Sequence, residues 1–229
     1  MSEQTFDSIL AIETSTTHLK LGLSFGGDRL VKSDDEVERS HGQVIIRKIG
    51  NLLSSAGLQA SDLNALVVST GPGSFTGLRI GLAAAKGMAM ALRIPIVGVS
   101  LFDLAAFKYR ELSTPVNVVV QVRRDEALVG NVVRGTFDIT SVSAIPITAL
   151  NDHLRNQHAV GIGLDILTLA PSCSATLGEG ELEVDTADLV YIGLTELLAG
   201  RFADIATLEP MYLQKSQAEI RFEQRQQRQ

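Results

Sequence analysis

Gly71-Pro72-Gly73-Ser74-Phe75-Thr76-Gly77-Leu78-Arg79 is the stretch that decides how this chain is read. Before it, residues 63–69 form a continuous apolar run, the pattern of a strand covered on both faces. After it, residues 77–92 are small and apolar at helical spacing and stop short of Pro95. The nine residues are therefore a strand-to-helix turn. Glycines at Gly71 and Gly73 permit positive φ and close backbone approach, and the N–H groups opening the next helix can hold an anion. A tight turn capped by Ser74 or Thr76 accounts for the residues equally well. Two phosphate loops are excluded. No Lys-Ser/Thr follows, as a P-loop requires. The glycines at 71, 73 and 77 miss the dinucleotide spacing, and the next strand ends Val99-Ser100 without an acid.

Working outward, residues 8–15 read as a buried strand that turns polar at Glu13-Thr14-Ser15, 19–25 as a second strand closed by Gly26-Gly27, and 29–33 as a third. An acid ending strand one before a polar hairpin is how actin-like and hexokinase-like ATPases present phosphate and magnesium ligands. The simpler account, that Thr14 and Ser15 satisfy turn backbone, is favoured. Residues 42–56 carry Val44, Ile45, Ile49, Leu52 and Leu53 at helical spacing, with Gly57 as a stop. A strand at 96–99 and a helix at 101–110 complete an N-terminal lobe, 1–112. Ser113-Thr114-Pro115 is the boundary. In the C-terminal lobe, 113–229, strands are expected at 116–122, 127–133, 137–142 and 159–162 and a helix at 186–199, with the last helix and tail packing back on the first lobe. The second half repeats the first in outline, an antiparallel meander followed by helices and strands. The fold class is α/β, each lobe a mixed sheet with flanking helices.

Gly77, Gly81, Ala84, Ala85, Met88 and Leu92 fall on one stripe of the helix after the glycine loop. Small residues four apart let two helices approach closely, and the stripe suits either packing on the chain's own sheet or an intermolecular helix contact.

Composition bounds the function. The 229 residues are 45% hydrophobic and 20% charged, with formal charge −6. That balance disfavours autonomous nucleic-acid binding, and three tyrosines with no tryptophan disfavour a stacking platform. The Gln/Arg tail at 221–228 reads as a solvated helix end. Cys173 is the single cysteine, so no internal disulfide forms and a reducing compartment is expected. Residues 1–7 lack the basic and apolar regions of a signal peptide, and no apolar run approaches the ~18 residues of a membrane span. Cytoplasm is the expectation, with no membrane partner. His18, His41, His153 and His158 include no i, i+4 pair, and no Gly-x-Ser-x-Gly elbow occurs. A metal site is not expected, each histidine reads as structural or surface, and a Ser-His-Asp or Cys-His arrangement stays open on spacing alone.

These pieces together resemble the TsaB family, also called YeaZ, of tRNA threonylcarbamoyladenosine biosynthesis proteins. The resemblance rests on Ile9-Leu10-Ala11-Ile12-Glu13-Thr14-Ser15, on His41 opening the first helix, and on the glycine motif extended through Ile80-Gly81. Ile94-Pro95-Ile96-Val97-Gly98-Val99-Ser100 and Glu209-Pro210-Met211-Tyr212-Leu213 extend it. The match is strong over 9–106 and faint over 107–205. It implies a two-lobed fold of the actin/hexokinase/Hsp70 class. It also implies a non-catalytic scaffold subunit of the complex that transfers threonylcarbamoyl to adenosine 37 of tRNA. The catalytic paralogue, TsaD, carries a His-x-x-x-His metal motif that this chain lacks. Pairing with that paralogue would use the helices near 42–56 and 76–92, through His41, Ile45, Ile49, Gly77, Arg79, Gly81, Ala84 and Met88. A TsaE-like ATPase would join, tRNA would be met through the complex, and a homodimer could use the same helices. No cofactor of its own is expected. ATP and magnesium would enter only at the complex interface, and Glu13, Thr14, Ser15, Gly71, Gly73, Ser74 and Thr76 are the candidate nucleotide or anion contacts. The alternative is an actin-like ATPase or an M22-type metallopeptidase. In the hairpin Gln121-Val122-Arg123-Arg124-Asp125-Glu126-Ala127-Leu128 the family's acid before the Arg and aromatic pair after it are missing, so no role is carried over there.

Overall fold

The structure, a computed structural model, describes residues 5–36, 41–175 and 180–212, except the side chains of His41, Gln43 and Ala175. The Gln/Arg tail lies outside the described residues. The first sheet opens with β1 (Ser8–Glu13), β2 (His18–Phe25) and β3 (Arg29–Glu36), an antiparallel meander. After α1 (His41–Ser55) the chain adds β4 (Ala65–Gly71) parallel to β1, then α2 (Phe75–Leu92), β5 (Ile96–Ser100) and α3 (Leu101–Lys108). The sheet order is β3-β2-β1-β4-β5.

The second sheet repeats this plan. β6 (Val116–Arg123) pairs antiparallel with β7 (Glu126–Val133), which pairs with β8 (Thr136–Phe137) and β9 (Ser143–Pro146). α4 (Ile147–His153) leads to β10 (His158–Gly161), parallel to β6. α5 (Ile166–Leu169) leads to β11 (Ser174–Ala175), parallel to β10. α6 (Thr186–Leu198) follows. The strand expected over 137–142 is corrected. Asp138 accepts a hydrogen bond from the Thr140 N–H (2.8 Å) and caps a 3-10 turn at Ile139–Ser141, which splits the stretch between β8 and β9. β9, α4 and α5 are absent from the sequence reading because each is only 4–7 residues long, too short to show a period.

Strand alternation sets the layers. In β1, Leu10 and Ile12 face α1 and α2, meeting Ile45, Ile49, Leu52, Leu53, Leu82, Ala85 and Ala89. Ile9 and Ala11 face the opposite way, into a core shared with α3, α6 and the second sheet through Val116, Val118, Val120 and Val160. On the far side of the second sheet, Val119, Ala127 and Val129 pack on Leu150 of α4, Leu154 just beyond its end and Ile166 of α5. Both sheets are thus covered twice, which is why their strands read as near-continuous apolar runs.

α6 follows the second lobe in sequence but packs on β1, β2, β4 and β5 of the first sheet. A Cβ on Gly193 would lie 2.2 Å from Val67 Cγ2, so only glycine permits this approach. The helix start is tied to the first lobe, where Lys20 Nζ donates to the Val184 carbonyl (3.1 Å) and Lys32 Nζ pairs with Asp185 (2.9 Å). Beyond it, Ala203 N–H donates to the Ile96 carbonyl (2.8 Å) and Met211 N–H to the Thr70 carbonyl (2.8 Å). Residues 203–212 therefore strap the β5 edge back to the glycine loop.

Candidate functional site

Two regions of the first lobe carry the residues singled out from sequence: the end of β1 with the glycine loop, and the outer surface of α1 and α2.

At the end of β1, Glu13 is 0% exposed, and Thr14 and Ser15 are buried beside it. Ser15 N–H donates to Glu13 Oε1, while Oε2 has no hydrogen-bond partner among the described residues. Burial raises the carboxyl's pKa above its ordinary value of 4.5. The polar neighbours Ser15 and Ser69, and Lys20 opposite in the β1–β2 register, offset only part of that.

The glycine loop closes on this turn. Gly71 has φ +89° and precedes a cis peptide to Pro72. Ser74 N–H donates to the Ser15 carbonyl (2.6 Å), and the Ser74 hydroxyl accepts from Gly77 N–H (3.2 Å), capping α2. Cβ atoms added at Gly73, Gly77 and Gly81 would lie 2.3 Å from the Ser15 carbonyl oxygen, 2.0 Å from that of Thr14, and 2.2 Å from Thr14 Oγ1. The concave side that could have cradled an anion is filled by the chain's own β1–β2 turn. Glu13 lies sealed beneath it, and of the candidate contacts only Gly73, Ser74 and Thr76 are exposed. These contacts fit a packed joint and do not fit a phosphate cradle. Among the described residues no group of three His, Cys, Asp or Glu is placed to hold a metal, and no helix is long and apolar enough to cross a membrane.

On the helix pair the expected interface set divides. Gly77 and Gly81 are spent on Thr14, and Ile45 (2% exposed) and Ile49 (3%) are in the sheet-facing core. None of these four can touch a partner while the lobe is folded, which corrects the sequence expectation. Ala84 and Met88 are half-buried against the same core, Arg79 is exposed, and the His41 side chain lies outside the described residues. The outward surface is made by other residues. Ile46 (59% exposed) and Gly50 stand on α1, and Phe75, Ala83, Gly87 and Met90 (66%) run along α2. Gly50 and Gly87 have open space where a Cβ would go. The signal was present in the sequence as a second helical stripe, 75-79-83-87-90, two residues out of phase with the buried 77-81-85-89.

At the head of that stripe Arg79 is fixed by two rings. Its guanidinium lies 3.9 Å from the Phe75 ring centroid and 5.8 Å from that of Tyr212, and its Nε donates to the Tyr212 hydroxyl (3.0 Å).

The duplicated strand order, with a glycine turn clasping the end of β1, defines a two-lobed protein of the actin/hexokinase/Hsp70 class. A family model described as "TsaD: tRNA N6-adenosine threonylcarbamoyltransferase" matches residues 34–207. The tRNA threonylcarbamoyladenosine biosynthesis protein TsaB of Escherichia coli is 29% identical over 224 residues, covering 92% of this chain and 96% of that protein. TsaB of Buchnera aphidicola is 30% identical over 156 residues, 65% of this chain and 73% of that protein. YeaZ from Pseudomonas aeruginosa superposes with a TM-score of 0.67 at 25% identity, over 90% of this chain and all of that one. The chain belongs to the TsaB (YeaZ) family.

Proposed function

We propose that this chain is a non-catalytic subunit in the formation of threonylcarbamoyladenosine in tRNA. In this reading it pairs through the outer faces of α1 and α2 with a metal-bearing TsaD-like paralogue. A TsaE-like ATPase joins that pair, and tRNA is met only through the complex. The observation that carries the reading is the outer helix face. Gly50 and Gly87 sit in exposed helix interiors with nothing of their own chain to meet, flanked by exposed Ile46 and Met90. An exposed mid-helix glycine costs about 1 kcal/mol relative to alanine, so two of them without an internal contact point to close approach of another helix. The filled glycine loop supports a scaffold over an ATPase. The absence of a His-x-x-x-His motif in the sequence supports it over a metallopeptidase.

The test is to mix the purified chain with the TsaD-type protein of the same organism and measure complex mass by light scattering. A one-to-one complex is expected, lost in Gly87→Leu while the variant keeps its helical circular dichroism. An intact complex in Gly87→Leu, or no complex beside ATP or peptide hydrolysis by the chain alone, overturns the reading.

A further inference from the structure

The strand register places three ionisable side chains in one row across the first sheet. Glu13 on β1 stands opposite Lys20 on β2, and Lys20 stands opposite Asp34 on β3. Directly paired residues share a face of the sheet. Glu13, in phase with Ile9 and Ala11, is on the face turned to α6 and the second lobe. The row runs outward from fully buried Glu13 through half-buried Lys20 to exposed Asp34. Lys20 Nζ donates to the Val184 carbonyl (3.1 Å) and lies 3.5 Å from Asp34 Oδ2. The other oxygen of Asp34 meets His18 Nδ1 at 2.6 Å. Glu13 Oε2 has no hydrogen-bond partner among the described residues, although the cation of the row stands directly across from it.

Val184 lies where the chain crosses from the second lobe to α6. Just before it, Leu182 N–H donates to the Gly161 carbonyl (2.7 Å), and just after it Asp185 caps the helix through the Ala187 N–H (2.8 Å). Three lysines of the first lobe clasp this crossover. Lys32 meets Asp185 (2.9 Å), Lys108 meets Glu183 and Asp188 (3.5 Å each), and Lys20 meets the Val184 carbonyl. Lys20 differs from the other two in binding a neutral group while a buried acid stands across the strand. We propose that Glu13 gates this clasp. Neutral, it leaves Lys20 on Val184; ionised, it draws the ammonium across the row and frees the start of α6 from the first sheet. From the middle strand the four-carbon stem of Lys20 reaches either neighbour. A carboxylate holds an ammonium more strongly than an amide carbonyl does, and more so away from water. The proton passes to solvent. Burial, the largest influence on Glu13, puts that loss above the carboxyl's ordinary value of 4.5. The other charged groups on the elements packed here are committed elsewhere or stand in solvent. Asp35 pairs with Lys48, Asp103 with Ser100 in the cap of α3, and Arg123 with Glu126 in the second lobe. Glu36 and Glu181 are exposed.

The test is amide hydrogen exchange of the full chain, read by mass spectrometry over residues 182–190 from pH 5 to pH 8. Rates are expressed as protection factors, which remove the intrinsic pH dependence of exchange. The wild type is expected to lose protection about ten-fold across the range, the weight of one hydrogen bond to a charged group. Glu13→Gln keeps Lys20 on Val184 and is expected to stay protected at every pH. Lys20→Met lacks the clasp and is expected to stay open at every pH. Histidine side chains ionise in the same interval, so His18→Gln is the control, and the step is expected to persist in it. The carboxyl carbon of Glu13, followed by nuclear magnetic resonance, is expected to titrate with the midpoint of the protection change. Wild-type protection that ignores pH overturns the proposal. So does a step that survives in Glu13→Gln, one that vanishes in His18→Gln, or a carboxyl midpoint that departs from it.

Discussion

Glu13 is a fully buried carboxyl group with one oxygen bonded to a backbone N–H and the other unpartnered among the described residues. Its pKa is raised, chiefly by burial, so the folded chain holds this proton more tightly than the unfolded chain does. Above the unfolded value of 4.5 the unfolded state deprotonates first. Stability contributed by this group therefore falls as pH rises toward the folded pKa, and the loss is complete above it. Glu13→Gln keeps the shape and the Ser15 contact without the ionisation. The variant is expected to unfold at higher urea than the wild type, with a gap that widens from pH 5 to pH 8. A constant or reversed gap in midpoints across that range would contradict the assignment. Sequence alone placed Glu13 at the end of strand one. It did not show that the acid is sealed, because groups packed round it, among them Ser69 at the end of β4, are distant in sequence.

α2 has two small-residue faces with opposite duties. The face at Gly77 and Gly81 admits the Thr14 turn, and a Cβ at Gly77 would lie 2.0 Å from a backbone oxygen. The face at Gly87 meets nothing of its own chain. Gly77→Ala is expected to destabilise the isolated chain by about 2 kcal/mol or more through overpacking against backbone that cannot yield. Gly87→Ala is expected to stabilise it by about 0.5–1 kcal/mol through helix propensity. Thermal melts of both variants check the pair, and equal signs would refute it. The long elements were legible because their periodicity is strong. β1, β2, α1, β4, α2, β5, β6, β7 and α6 all stand within a few residues of the sequence reading. The orientation of α2 was not legible. Glycine and alanine occur all round it, so hydrophobic period cannot say which stripe is covered. In the second lobe, short helices and a strand broken by an Asp-capped turn leave too few residues to establish a period.

The two sheets share one core, and α6 completes the first lobe's inner face after the chain has built the second. Residues 1–112 alone would expose Ile9, Ala11, Val67 and Val99 where Leu189, Val190 and Leu197 belong. That fragment is expected to bind anilinonaphthalene sulfonate and to melt without a cooperative transition. A sharp sigmoidal melt would show instead that the lobe is self-sufficient. The same crossover governs birth at the ribosome. At about 5–20 residues per second, roughly 4–17 s separate synthesis of Ser100, which ends the first sheet, from synthesis of Thr186, which opens the helix that seals it. During that interval the nascent chain carries a finished sheet whose oily underside α3 and the second sheet cover only in part, with the helix that seals it not yet made. The growing polypeptide is then a client for whatever holds sticky surfaces apart during translation.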